Sequence, residues 1–576
     1  MGGKQDISRP ILRILGIFFI AGLRNVYGLE YDHTASIECL ASPHKAQYAG
    51  GMVENPEMED LTGWSSFGGA KVVYRTAPGG NRFVVASGRN NSHGSVSQKF
   101  KLNKDLLYTF SAWIQLSEGS APVTAIFKTS SGYWPAGVVF SEAGCWSMLK
   151  GGLTVDATGP AKLYFESNHA SPDIWVDSVS LQPFTQAEWK SHQEASIEKH
   201  RTQKVRFQAF DATDKPLAGA NLTFQQKALG FPFGCAINKN ILNNVAYQNW
   251  FFSRFKYTTF ENEMKWYTNE PSPGRLDYSA ADAMLKLTRQ HGVSVRGHNI
   301  FWDDPNYQPG WVKNLAPQQL RDAAASRINS VVRHFRGQVI HWDVVKENLH
   351  HNFFESKLGR DASTKFYQRA HALDPRLRLF LNEYNTLEQI GDTAVSAANY
   401  LGKIRDGVPL GIGLQGHFNI PNIPYMRSAL DTLASANLPI WITELDTSGG
   451  NQAASLESII NEARSHPAVS GIVVWAAWSP TGCHKMCLTD NSFRNLPTGD
   501  VVDKIMQTMA HKGLVVVTDK NGKFETSLQH GDYELTVTQE NSSSISTHSF
   551  NVTLDEDWEE FYTCSNNVCI MIKITW

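Results

Sequence analysis

Cysteine is scarce. Seven among 576 residues are too few for a scaffold held together by disulfides. Cys483 with Cys487, and Cys564 with Cys569, are close enough in sequence to close small loops, while Cys39, Cys145 and Cys235 stay unassigned. No His/Cys cluster has the spacing of a zinc site, so no metal is expected. Long apolar runs are missing too. The N-terminal run Ile14 to Leu23 is ten residues, and nothing later reaches the ~18 of a membrane-spanning helix. Neither sign of charge is in excess: Lys+Arg 53 against Asp+Glu 55 gives −2. That balance offers nothing to nucleic acid or to an anionic membrane.

What the chain does have is aromatic side chains, with 16 Trp and 18 Tyr. They serve either large cores or sugar binding, because pyranose rings lay their C–H faces on flat aromatic rings. With 42% hydrophobic and 19% charged residues the chain is globular, and its length calls for several domains. Lys4, Arg9 and Arg13, the apolar run, and then small residues to Gly28 have the order of a secretory signal over residues 1–28. A membrane anchor is the other reading, and the run is short for it. The mature protein is therefore expected outside the cytosol, soluble and without a membrane partner. Sequons at Asn90, Asn221, Asn541 and Asn551 agree with secretion.

Residues 50–185 alternate like short strands, as in "YTFSAWIQL" and "DIWVDSVSL", and predict a two-sheet sandwich or jelly roll. Residues 186–204, "EWKSHQEASIEKHRTQK" included, are charged and helix-permissive and read as a linker. Residues 205–512 begin with β texture, and from Phe231 eight apolar strands alternate with amphipathic helices: "FPFGCAI", "YTTFENEMKW", "SVRGHNIFW", "VIHWDVVKE", "RLFLNEYN", "GIGLQGHF", "PIWITELD" and "GIVVWAAW". Eight such units predict a (β/α)8 barrel. Residues 513–576 return to β, with "DKNGKF" offering an Asn-Gly hairpin turn. Their texture matches Val205–Phe224, so the two flanks of the barrel are expected to meet in one small β layer.

In such a barrel the working groups lie at the carboxyl ends of the strands. Those ends carry Glu261, Asn262 and Lys265, then His298 and Trp302, then Glu347, then Asn382, Glu383 and Tyr384. Strands six to eight add Gln415, His417, Glu444, Trp475 and Trp478. A lone histidine or glutamate at a strand end is ordinarily structural, whereas a dozen polar and aromatic groups on one rim are hard to explain as packing. Glu347 on strand four and Glu444 on strand seven face one another across the mouth. Two carboxyl groups ~5–5.5 Å apart are what a retaining glycosidase requires.

The stretches "ENEMKW", "RGHNIFW", "WDVVKE", "LFLNEYN", "GIGLQGHF" and "WITELD" resemble, in order, the motifs of glycoside hydrolase family 10, endo-1,4-β-xylanases that retain configuration. "GCHKMCLTDNSFRNLPTGDVVDK" resembles its plant branch, and residues 50–185 resemble carbohydrate-binding module family 22, a xylan-binding jelly roll. The resemblance implies Glu444 as nucleophile and Glu347 as acid/base, with His417 hydrogen-bonded to the nucleophile. It implies Glu261, Asn262, Lys265 and His298 as binders of the non-reducing side, and Gln415 at the −1 sugar. Trp302 and Trp475 would wall the −1 region, and Tyr384 would line the far side. In the module, Trp64, Tyr133, Trp134 and Glu166 are candidates. Xylan is the implied partner, with no cofactor, and a monomer is expected.

One position departs from the pattern. The family places Asn before the acid/base, where it donates to the 2-hydroxyl of the −1 sugar; here that residue is Lys346. Lysine is longer and charged, and a cation beside an acid favours its ionised form. It would either pair with Glu347 or Glu444 and occupy the −1 subsite, or swing out to solvent and leave a slow enzyme. Three readings follow: a working xylanase, a non-catalytic xylan binder of the cell wall, or a transglycosylase that uses the same intermediate.

Overall fold

A computed structural model describes residues 29–404, 410–510, 513–539, 545–553, 560–565 and 568–575. The expected signal segment 1–28 and the sequon at Asn541 lie outside them.

The N-terminal module is a sandwich of two five-stranded antiparallel sheets. One sheet runs in the order Ser65–Phe67, Ser95–Leu102, Gly159–Glu166, Ser120–Lys128, Tyr133–Glu142. Alternation sends Leu163 and Phe165 inward to Phe110 and Phe127, while Tyr164 and Glu166 take the opposite face. Cys39 and Cys145, unassigned from the sequence, form a disulfide; Cys483–Cys487 and Cys564–Cys569 pair as their spacing suggested, and Cys235 is free and buried.

Residues 186–204 are not a linker. Gln186–Arg201 is a helix, opened by a reciprocal cap between Thr185 and Glu188, and it runs directly into the strand Thr202–Asp211. Its grip on the barrel is largely polar, which is why a charged sequence concealed it. Trp189 Nε1 and Gln193 Nε2 both donate to Glu462, at 2.8 and 2.6 Å. Ser196 Oγ donates to the Ser465 carbonyl, and Arg201 Nη2 to those of His466 and Val469.

Eight parallel strands close the barrel: Phe233–Cys235, Tyr257–Thr259, Ser294–Trp302, His341–Lys346, Arg378–Glu383, Leu410–Leu414, Ile440–Thr447 and Val469–Val474. Strand one pairs with strand eight, and strand six with strand seven, so the sheet has no free edge.

The flanks of the barrel do meet, as a second sandwich rather than one layer. Thr202–Asp211 lies between Lys523–Gln529 and Val568–Thr575, and Asn221–Leu229 lies between Leu514–Val517 and Gly531–Thr538. The barrel proper therefore starts near Phe233 and not at 205. The Asn521-Gly522 turn does not make a hairpin, because the strands before and after it belong to different sheets.

Module, the segment that precedes it and barrel are locked together at Asp431, on the barrel helix Ile423–Ala434. This buried carboxylate takes Lys150 of the module at 2.9 Å, Tyr31 Oη at 2.7 Å, and His33 and His466 at 3.2 Å each. Beside it Gly152 lets a module strand press onto the same helix, where an added Cβ would stand 2.5 Å from Pro424. Asn422 Nδ2 donates to the Gly152 carbonyl.

Candidate active site

The rim collects the barrel residues expected from the sequence. Glu444 lies in the carboxyl-terminal half of strand seven, where Asn382 Nδ2 donates to it at 2.9 Å and His417 Nε2 stands 3.5 Å away. His417 is in turn bonded to Asp446 through Nδ1 at 2.7 Å, and His484 reaches the second Asp446 oxygen at 3.1 Å. His417, Asp446 and His484 are close enough together to hold a metal ion; as arranged they form a hydrogen-bonded relay behind Glu444. Burial would raise the Glu444 carboxyl, but Lys346, His298 and His417 outweigh it and hold the group well below the usual carboxylate range. Glu444 is thus an ionised carboxylate.

Glu347 follows strand four. Trp302 Nε1 donates to one of its oxygens at 2.6 Å and Gln415 Nε2 to the other at 2.9 Å. Its backbone is left-handed, φ 63°, a conformation costly for a residue with a Cβ and held here by the Glu347 N–H to Asn382 carbonyl bond at 2.9 Å.

Lys346 does not swing out to solvent. Its side chain is buried, with the residue 4% exposed, and Nζ lies 3.1 Å from Glu444 and 3.4 Å from Glu347. Trp302 covers it, 4.4 Å from ammonium to ring centroid. Burial would lower the Lys346 pKa, and the two glutamates more than reverse that, so it is a permanent cation. A single ammonium touching both carboxylates fits the ~5–5.5 Å retaining separation, and it fills the space between them. Lys265 shares the Trp302 face at 4.7 Å, and burial, reinforced by the Lys346 charge, pulls it down to about 7.

His298 is buried with Nδ1 on Asp343 at 2.8 Å and Nε2 without a hydrogen-bond partner, 3.8 Å from Glu444. Trp475 packs edge-on against it. Glu261 accepts from Asn238 at 3.0 Å, and burial raises its carboxyl. Asn262 accepts from Lys265 and from Tyr267 Oη. Opposite, Tyr384 stacks on His350 at 3.8 Å. His350 bridges Glu383 at 2.7 Å and Asp392 at 2.8 Å, and these carboxylates outweigh burial and raise it to about 9.

Because its folded pKa exceeds the ordinary ~6.5, His350 stabilises fully below that pH and loses its contribution as pH rises through about 9. Melting curves of wild type and His350→Asn should therefore differ most below pH 6.5 and converge above 9. Parallel curves across that window would contradict the assignment.

Several groups were missed. Asp343 binds Arg296 Nη2 at 2.7 Å, His298 at 2.8 Å and Asn382 Nδ2 at 3.0 Å, orienting two neighbours of the nucleophile. Tyr307 stacks on the outer side of Trp302 at 3.7 Å. Neither Asp446 nor His350 carried a signal beyond position near a strand end. In the module, Tyr133 is 61% exposed, and Trp134 is half-buried with Nε1 on Thr129. Glu166 accepts from Tyr164 Oη at 2.8 Å. Trp64 is in the core, 6% exposed, with its Nε1 on the Asn55 carbonyl, and offers no ring face to a ligand.

Residues 221–491 match the sequence pattern of glycosyl hydrolase family 10. A protein of Arabidopsis thaliana named endo-1,4-beta-xylanase 5-like is 37% identical over 554 residues, covering 92% of this chain and 94% of its own length. The chain belongs to glycosyl hydrolase family 10. Another relative, endo-1,4-beta-xylanase 5 of the same plant, is 41% identical over 470 residues, 78% of this chain and 83% of that one. Among solved structures, the native xylanase 10B from Thermotoga maritima is 25% identical, with TM-score 0.44, over 48% of this chain and 95% of that one. The family 10 match takes in both glutamates and every rim residue described above, and it leaves the N-terminal module outside.

Proposed function

We propose that this chain is an endo-1,4-β-xylanase that cleaves with retention of configuration. The facing of Glu347 and Glu444 across one ammonium supports it, with Glu444 kept ionised. Glu347 in its acid form gives its proton to the glycosidic oxygen as the Glu444 carboxylate attacks the anomeric carbon, forming a covalent glycosyl-enzyme. Glu347, now a carboxylate, takes a proton from water, which attacks the same carbon and releases Glu444. His298, with its free Nε2, and Gln415 are positioned to meet sugar hydroxyls. Trp302 and Trp475 flank the −1 site, Glu261, Asn262 and Lys265 the non-reducing side, and Tyr384 the far side.

The enzyme is proposed to be secreted. The N-terminal segment and the sequons support this, with Asn90 and Asn551 exposed and Asn221 half-buried on a strand. Among the described residues no helix is long and apolar enough to cross a membrane. The test is release of reducing ends from β-1,4-xylan against a Glu444→Ala blank, with NMR of the first-formed anomer. Release above the blank as the β-anomer is expected. An α-anomer formed first, or no difference from the blank, would overturn the proposal. Lys346 also favours a second reading, a protein that holds xylan without cutting it.

A further inference from the structure

We infer that one xylan chain runs unbroken from the cleft onto the N-terminal module, through a binding subsite built at the seam between them. The inference rests on the xylan reading above. The loop that follows strand five has two sides. On one, Asp392 holds His350, the base on which Tyr384 stacks at the cleft rim. On the other, Gly391 and Thr393 wall a cavity of about 260 Å³ whose remaining wall is the module, including Thr124, Ile126, Pro135 and Glu166. A single short loop therefore separates the far side of the cleft from the module's exposed sheet face.

The cavity has the chemistry of a sugar site. Ile126 and Pro135 present apolar surface to a pyranose C–H face. Glu166, Thr124, Asn168 and Thr393 present acceptors and donors to hydroxyls. Ser167 also lines it, 3% exposed, and its Oγ is buried without a hydrogen-bond partner. Such an orphan is costly unless a ligand or solvent satisfies it. From Thr124 the strand leads four residues on to Lys128, paired with exposed Tyr133. That is ~13 Å along the sheet, the span of a short oligosaccharide. The track is fixed in direction because the Lys150–Asp431 pair and the Gln186–Arg201 helix hold the module against the barrel.

Two sites joined rigidly on one ligand raise affinity for chains that reach both, and only for those. In the Glu444→Gln background, which prevents cleavage, calorimetric titration with xylotriose and with progressively longer xylo-oligosaccharides should show affinity climbing with length. Thr393→Trp, filling the seam, and Asn168→Ala, on its opposite wall, should each weaken binding of the long oligosaccharides by about 10- to 100-fold. Xylotriose binding, unchanged in both, would report an intact cleft. If both variants bind long chains as tightly as the parent, the seam is not on the path. If the parent binds no length of xylo-oligosaccharide, the xylan reading itself fails and the track with it.

Discussion

Lys346→Asn should raise kcat/KM on β-1,4-xylan by about 100- to 1,000-fold. A sugar entering the −1 site must displace an ammonium that sits 3.1 Å from the nucleophile and 3.4 Å from the acid/base. At an effective dielectric of ~20, one such contact at 4 Å amounts to about 4 kcal/mol. Asparagine frees that space and restores a short amide donor for the 2-hydroxyl, an interaction that supplies several kcal/mol toward the transition state. Lys346→Met separates the two gains. It removes the charge and restores no donor, so it should recover part of the rate and stay below the asparagine variant. An asparagine variant no faster than wild type would show that the lysine withdraws freely when substrate binds. Wild type equal to the Glu444→Ala blank, with the asparagine variant active, would favour the protein that holds xylan without cutting it.

Asp431→Asn should cost about 3–5 kcal/mol, because it leaves the Lys150 ammonium buried without its counter-charge. The amide keeps one acceptor oxygen, so either Tyr31 on one side or His33 and His466 on the other meets an N–H donor where it had an acceptor. Calorimetry should show a transition several degrees lower, and hydrogen exchange should rise first in the helix Gln186–Arg201 and in the strand Ser147–Leu153. The double variant Lys150→Met/Asp431→Leu should lose much less than Asp431→Asn alone, since no buried charge is stranded. A double variant as unstable as the single one would contradict the account. The acid dependence follows from sign. Burial opposes ionisation of Asp431, yet Lys150 and the histidines hold its pKa well below the usual value. Its contribution is therefore full above the ordinary ~3.9 and fades only as pH falls through the lower folded value.

The barrel was legible because its strands are apolar runs with polar residues at one end, and topology places those ends on a single rim. Glu347, Glu444, His417 and Gln415 stand where that logic puts them. Asp343 did not show itself, because strict alternation fails on strand four: a register shift between Asp343 and Val345 turns both Asp343 and Lys346 inward. The Gln186–Arg201 helix was misread as a linker because its docking uses Trp189 and hydrogen bonds to helix-end carbonyls in place of an apolar stripe. Trp64 was misplaced for a simpler reason, since an aromatic beside turn residues serves core and ligand equally well on paper. Cys39 and Cys145, far apart in sequence, could be paired only by the fold, where an isolated β-bridge between Leu40 and Trp146 sets them side by side.

The second sandwich makes folding wait on translation. Thr202–Asp211 and Asn221–Leu229 leave the ribosome early, yet every neighbour they pair with lies beyond residue 513. At ~5–20 residues per second, synthesis from Thr202 to Gln529 takes on the order of 15–60 s. Throughout that time two strands, each with one apolar face, wait without partners, and they should be a preferred landing place for chaperones on the nascent chain.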